Sequence, residues 1–191
     1  MMEPTVTALV VYESFFGNTQ QIAHAVAEGL HLAGISPTVQ EVSNADPADV
    51  VRFDALVVGG PTHAFGLSRE STRAEAERRD GSAHRPGPGL RDWLGRLSAP
   101  PSALAAAFDT RAEKVRHLPM SAAHTAARIL GRRGYTLVAK PTGFTVQDVE
   151  GPLSSGETGR AVAWGRALGQ TIQHRHATAA LDGPGSARRT P

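Results

Sequence analysis

The sequence predicts an α/β fold, a doubly wound five-stranded parallel sheet with helices on both faces. Three observations carry that expectation. Short continuous apolar runs rich in β-branched residues recur (ALVVY at 8–12, ALVVG at 55–59), as strands buried on both faces require. Helical patterns alternate with such runs at the spacing of βαβ units. The first and third runs also empty into glycine-containing loops. In a sheet of this kind a ligand sits beyond the carboxyl ends of the strands, at the topological switch point.

The elements follow in order. Residues 8–12 are the first strand. A helix is expected over about 18–33, with Ile22, Val26, Gly29 and Leu30 at helical spacing and Gly34 as its stop. Residues 38–42 are the second strand, where Val39 alternates with Gln40 and Glu41, and residues 55–59 are the third. Residues 69–80 are charged and read as a short exposed helix, and 81–89 (GSAHRPGPG) read as a mobile linker. Together 69–89 form an exposed insertion. Leu90, Trp93, Leu94 and Leu97 share one face of a helix over 90–97. Residues 104–108 are the fourth strand and run into Asp109. A helix over 121–133 stops at Gly134. The fifth strand covers 136–139. It either ends there or resumes at 143–146 beyond Pro141, which a central strand does not tolerate. The last helix runs from 157 to about 174 and packs Val162, Leu168 and Ile172. Residues 175–191 read as a disordered polar tail, which leaves one domain over 1–174.

Composition narrows the function. At 191 residues the chain is ample for one core. It has 20 Lys+Arg against 18 Asp+Glu, a net charge of +2. Arg175, Arg188 and Arg189 against Asp182 account for that excess, so residues 1–174 are neutral and no nucleic-acid partner is expected. Cysteine is absent, which excludes disulfides, thiolate chemistry and iron–sulfur clusters. A redox role must then come from an organic cofactor or from non-Cys metal ligands. Spacing such as HxxxH is absent, and no metal site is expected. No apolar run approaches the ~20 residues that span a bilayer. The start MMEPTVTALVVYES lacks a basic n-region, so a cytoplasmic protein with no membrane partner is expected.

Three loops could carry chemistry. After the first strand come Ser14, Phe15, Phe16, Gly17, Asn18 and Thr19. Free N–H groups at a helix start, with two hydroxyls, make an anion site. The loop matches neither GxxxxGK[ST] nor GxGxxG, and the alternative is that Ser14 or Asn18 merely caps the helix. After the third strand come Gly59 to Gly66 (GGPTHAFG), with Pro61 fixing the turn and Thr62, His63 and Phe65 offering polar or planar groups. Phe65 could equally cover the core. After the fourth come Asp109, Thr110 and Arg111, which either reach a ligand or pair with each other on the surface.

Together the segments YESFFGNT at 12–19 and GGPTHAFG at 59–66 resemble the flavodoxin family, over about residues 7–174. The resemblance implies the strand order 2-1-3-4-5 and FMN as cofactor. It also implies that Ser14 to Thr19 play the part of the family's [ST]-x-T-G-x-T phosphate loop. The first hydroxyl, the Gly, a spacer and the last hydroxyl match, but Phe16 replaces the middle Thr. It further implies that Pro61, Thr62, His63, Phe65 and Gly66, with Asp109, Thr110 and Arg111, flank the flavin ring. Arg111, Lys114 and Arg116 would place positive charge beside that ring, where acidic flavodoxins carry the opposite sign.

The resemblance implies electron transfer with redox partner proteins, with no side chain in a catalytic role. An FMN-dependent reductase passing electrons from NAD(P)H to a small quinone-type acceptor is the alternative. A module that has lost FMN, on the strength of Phe16, is a third. A monomer and a homodimer are both compatible.

Overall fold

The computed structural model describes residues 5–62, 66–69, 88–100, 103–117 and 120–181. Strands β1 (Thr7–Tyr12), β2 (Ser36–Glu41), β3 (Ala55–Pro61), β4 (Leu104–Ala112) and β5 (Thr136–Leu137) lie in the order β2-β1-β3-β4-β5, and β6 (Thr142–Val146) also pairs with β4. Every pairing among these strands is parallel. The expected order 2-1-3-4-5 and the doubly wound architecture are what the chain adopts.

The apolar runs are continuous because both sheet faces are covered. Ala8, Val10 and Tyr12 point to one side with Val57, Ala106 and Phe108. They pack beneath helix α1 (Asn18–Leu32) and the last helix, α4 (Glu157–Leu181), through Ile22, Val26, Leu30, Leu168 and Ile172. Leu9 and Val11 point to the other side with Leu56, Val58, Ala105 and Ala107. There they meet α2 (Leu90–Gly95) and α3 (Ala122–Arg132) through Trp93, Leu94, Ala126 and Leu130. Trp93 is fully buried and donates its indole N–H to the Ala45 carbonyl at 2.8 Å.

Helices α1 and α4 touch backbone to backbone. A Cβ added to Gly165 would stand 2.3 Å from the Val26 carbonyl oxygen, and one on Gly29 2.1 Å from that of Val162. Only glycine fits that crossing.

The structure departs from the sequence reading in three places, at β4, β3 and the last helix, and decides between the two arrangements expected of the fifth strand. The fourth strand runs on to Ala112, so Asp109, Thr110 and Arg111 are strand residues and not a loop. Strand β3 reaches Pro61 and pairs Gly60 with Asp109 and Pro61 with Thr110, which extends the ladder past the apolar run. The fifth strand is split around Pro141, with β5 and β6 both paired to β4, as the second of the two expected arrangements has it. The last helix does not stop near His174. It continues to Leu181, so residues 175–181 of the expected tail are helical. ATAAL at 177–181 favours helix, and the first breakers are Gly183 and Pro184. Residues 70–87 of the expected insertion, and 182–191, lie outside the described residues.

Candidate functional site

The carboxyl ends of β1, β3 and β4 lie side by side, because Tyr12 pairs with Gly59 and Pro61 with Thr110. A cavity of about 240 Å³ opens there. The chain leaves β1 through Glu13 and turns into α1 at Gly17, which sits in the left-handed region at φ 78°. That turn gives α1 an N-cap without a side-chain hydrogen bond. The first helical turn also lacks intrahelical acceptors for its N–H groups, which leaves it ready for an anion.

Of the residues singled out in the first loop, Ser14, Phe15, Phe16, Asn18 and Thr19 line the cavity. Ser14 Oγ accepts a long 3.4 Å bond from the Gln20 amide. Asn18 does not cap its own helix. It donates to the Glu150 carbonyl at 3.0 Å and so draws the loop after β6 over the site. A Cβ on Gly151, at φ 109°, would collide with the Asn18 amide at 2.7 Å.

From the other two segments Pro61, Thr62, Thr110 and Arg111 line the same cavity. The Thr19 and Thr110 hydroxyls share a buried 2.8 Å hydrogen bond, which ties α1 to β4. The Thr62 hydroxyl accepts the Ala122 amide at the start of α3, at 3.0 Å.

Asp109 is not on the lining. It is fully buried and takes Arg111 Nε at 2.7 Å and Nη2 at 2.8 Å, together with the Ala123 amide at 3.0 Å. Pairing between Asp109 and Arg111 was one of the two sequence alternatives, but it takes place in the interior and not on the surface. It is internal because β4 is extended, and residues two apart on a strand share a face. Gly66 lies against Thr125 and Arg91, away from the cavity lining. His63 and Phe65 lie outside the described residues.

The basic cluster at 111–116 is partnered throughout. Lys114 meets Asp148 at 3.3 Å and Arg116 meets Glu113 at 2.8 Å, both in solvent. The Val149 amide and then Lys114 hold the Asp148 carboxyl below its ordinary range.

Ala112, Lys114, Val115 and Met120 also line the cavity, from the segment 109–120 that the resemblance places beside the ring, and so do Val146 and Val149, which sequence reading missed. The signal for Val146 was present in the resumed strand after Pro141. Met120 and Val149 are half exposed, at 53% and 48%, as apolar side chains on the rim of a ligand site can be.

The cavity has two characters. Ser14, Thr62, Thr110 and the α1 N-terminus supply hydroxyls and N–H groups, while Phe15, Phe16, Pro61, Val115, Met120 and Val149 supply apolar surface. Such a site suits a molecule with an anionic end and a flat apolar body. Among the described residues no Asp, Glu or His lines it, and no cluster of three or more His, Asp or Glu could hold a metal. No described helix is long and apolar enough to cross a membrane.

Comparison with known proteins agrees with this geometry. The flavodoxin family model matches residues 10–92. A flavodoxin of Aquifex aeolicus (strain VF5) is 41% identical over 56 residues, which are 29% of this chain and 30% of that protein. The match thus spans under a third of that relative. Among solved structures, an archaeal flavodoxin superposes with a TM-score of 0.63 at 15% identity, covering 88% of this chain and all of that one. Flavodoxin 2 from Bacillus cereus gives 0.62 at 18% identity, covering 89% and 99%. At those identities the structural matches show the fold.

Proposed function

We propose, from the premise that the chain belongs to the flavodoxin family, that it binds FMN in this cavity and carries electrons between partner proteins. Members of that family bind FMN, and the residues present fit it. The observation that carries the reading is the pairing of an α1 N-terminus, turned by a left-handed Gly17 that offers no side-chain cap, with apolar walls on one cavity. Ser14 and the amides at the start of α1 would hold the phosphate. Pro61, Thr62, Thr110, Met120 and Val149 would bound the ring system, with Phe15 and Phe16 closing it from the first loop.

When bound, FMN supplies the electron acceptance and release. The chain's share is orientation and exclusion of water. The Thr19–Thr110 bond fixes the first loop against β4, and the Asn18 bond to Glu150 fixes the loop that carries Val149.

Titrating the purified protein with FMN, followed by quenching of flavin fluorescence, tests the reading. Saturable one-to-one uptake is expected. Ser14→Ala should weaken it about tenfold, since a hydrogen bond to a charged group is worth at least ~1.5 kcal/mol. A protein that takes up no FMN at millimolar ligand refutes the assignment. Consumption of NAD(P)H by the FMN-loaded protein alone would move it to the reductase class.

A further inference from the structure

We propose that Glu13 is a positioning residue for the ligand of this cavity, and that it acts through Ser68 by fixing the loop after β1 against the segment after β3. The inference rests on the FMN reading above. Its basis is a buried carboxylate that stands off the cavity. Glu13 is 4% exposed and Ser68 is fully buried, and neither is on the lining. The Ser68 hydroxyl donates to Glu13 Oε1 at 2.7 Å and to Oε2 at 2.6 Å, across 55 positions of sequence.

Strand alternation aims Glu13 at that partner. Leu9 and Val11 point to the α2–α3 side of the sheet, and Glu13 follows them at the next position of the same face. The Glu13 amide still bonds the Gly59 carbonyl, at 2.9 Å. The segment it reaches is anchored by itself. Leu67 is buried in the core beneath Gly60, and its carbonyl accepts Arg91 Nη2 at 3.2 Å. At its other end the first loop is held by the Asn18 bond to Glu150 and the Thr19–Thr110 bond. Ser14, Phe15 and Phe16, which line the cavity, are therefore suspended between two anchors. Pro61 and Thr62 line it from the start of the segment that Ser68 closes.

A buried carboxylate costs stability that an apolar pair of the same volume would not. It gives direction in return, because a charge-assisted hydrogen bond fixes length and angle where an apolar contact slides. A ligand then meets loops already in place and spends less of its binding energy on ordering them. If only a fraction of molecules holds the loops in place, the apparent affinity falls by that fraction.

The test titrates the purified full chain with FMN, with riboflavin and with inorganic phosphate, the last read by competition with FMN. Ser68→Ala and Glu13→Ala should each weaken FMN about tenfold, the size of one hydrogen bond to a charged group. Glu13→Gln, whose amide oxygen still accepts the Ser68 hydroxyl, should recover most of that loss. The two alanine substitutions together should weaken FMN by no more than about threefold beyond either alone, because both break one tie. Riboflavin spans the same loops and should weaken by the same factor as FMN. Inorganic phosphate needs only the turn into α1 and should stay within about twofold of wild type, which a general loss of structure would not allow. The visible circular dichroism of the bound flavin should change with the tie broken. Glu13→Gln with Ser68→Ala leaves no buried charge and reads the same loss where Glu13→Ala does not fold. FMN affinities within about twofold of wild type in the Ser68→Ala and double variants overturn the inference and leave FMN binding intact, as do equal losses for phosphate and FMN. A wild-type chain that takes up no FMN overturns both.

Discussion

Replacing Asp109 with Asn removes one charge from the interior and changes little else in shape. The carboxylate offers two oxygens to three donors: Arg111 Nε, Arg111 Nη2 and the Ala123 amide. Asparagine offers one oxygen, and its amide N–H groups face donors. At least one buried donor is then orphaned, and the Arg111 charge, 9% exposed, has no counter-ion. Breaking a buried pair from one side costs about 3–5 kcal/mol. In a domain of this size 1 kcal/mol moves the melting temperature by about 2–4 °C, so a fall of roughly 6–20 °C is expected. Urea and thermal unfolding followed by circular dichroism read it. Adding Arg111→Met removes the stranded charge and should recover most of the loss, with a coupling of about 2 kcal/mol or more in the double-mutant cycle. A single variant within ~1 kcal/mol of wild type would show that Arg111 is solvated and not bound in the interior as described.

Three further perturbations probe the frame around the site. Gly165→Ala drives a Cβ to within 2.3 Å of the Val26 carbonyl and should destabilise by about 1–3 kcal/mol, whereas Gly159→Ala on the same helix meets open space and should stabilise by up to ~1 kcal/mol; equal effects in chemical denaturation would deny the close α1–α4 crossing. Thr19→Val strands the buried Thr110 hydroxyl at a cost of roughly 1–3 kcal/mol, and Thr19→Ser should restore most of it. Glu157 accepts the Thr145 amide at 2.7 Å. Burial pushes its carboxyl up, but the Arg160 hydrogen bond, the Thr145 amide and the Arg160 charge together hold it below its ordinary range. A depressed carboxyl contributes stability above its unfolded pKa, about 4.3, and loses it as pH falls through the folded value. Glu157→Gln should therefore be less stable than wild type at pH 7, with the gap closing by about pH 3. A gap that is constant over that range would mean that the charge of Glu157 contributes nothing.

The sheet was legible because burial on both faces leaves a direct mark. ALVVY and ALVVG have no polar alternation, and only a doubly covered strand makes use of that. Helix α1 was legible to within a residue at its C-terminus because Gly34 stops it, with φ 80°. The far end of β4 was not legible. Its apolar run ends at Phe108, and Asp109 and Arg111 have the composition of a loop. They continue as strand because each finds its partner on the same face two residues away, and because β6 pairs with β4 from Phe108 to Ala112. That information lies in a partner strand more than thirty positions later, beyond the reach of local pattern. The C-terminal helix overran for the opposite reason. Residues 175–181 contain no breaker, and polar composition was weighed where helix propensity was the stronger term.

The same asymmetry explains what could be said of charge at the site. Summed along the sequence, the segment Arg111 to Arg116 looks like a basic patch. In three dimensions each cation has a carboxylate within 3.3 Å, so the net charge of the patch is close to nil. Net charge is the wrong quantity for a bound ring, because the field there depends on which end of each pair is nearer. Two of the three pairs put the cation on the cavity lining and the anion off it. Sequence order shows that Asp109 and Arg111 are neighbours, but which of them faces the ligand is decided by the Ala123 amide, which claims Asp109 from the far side. The Arg111 contribution to the charge of the cavity thus depends on the α3 N-terminus, whose Ala123 amide holds Asp109 off the lining.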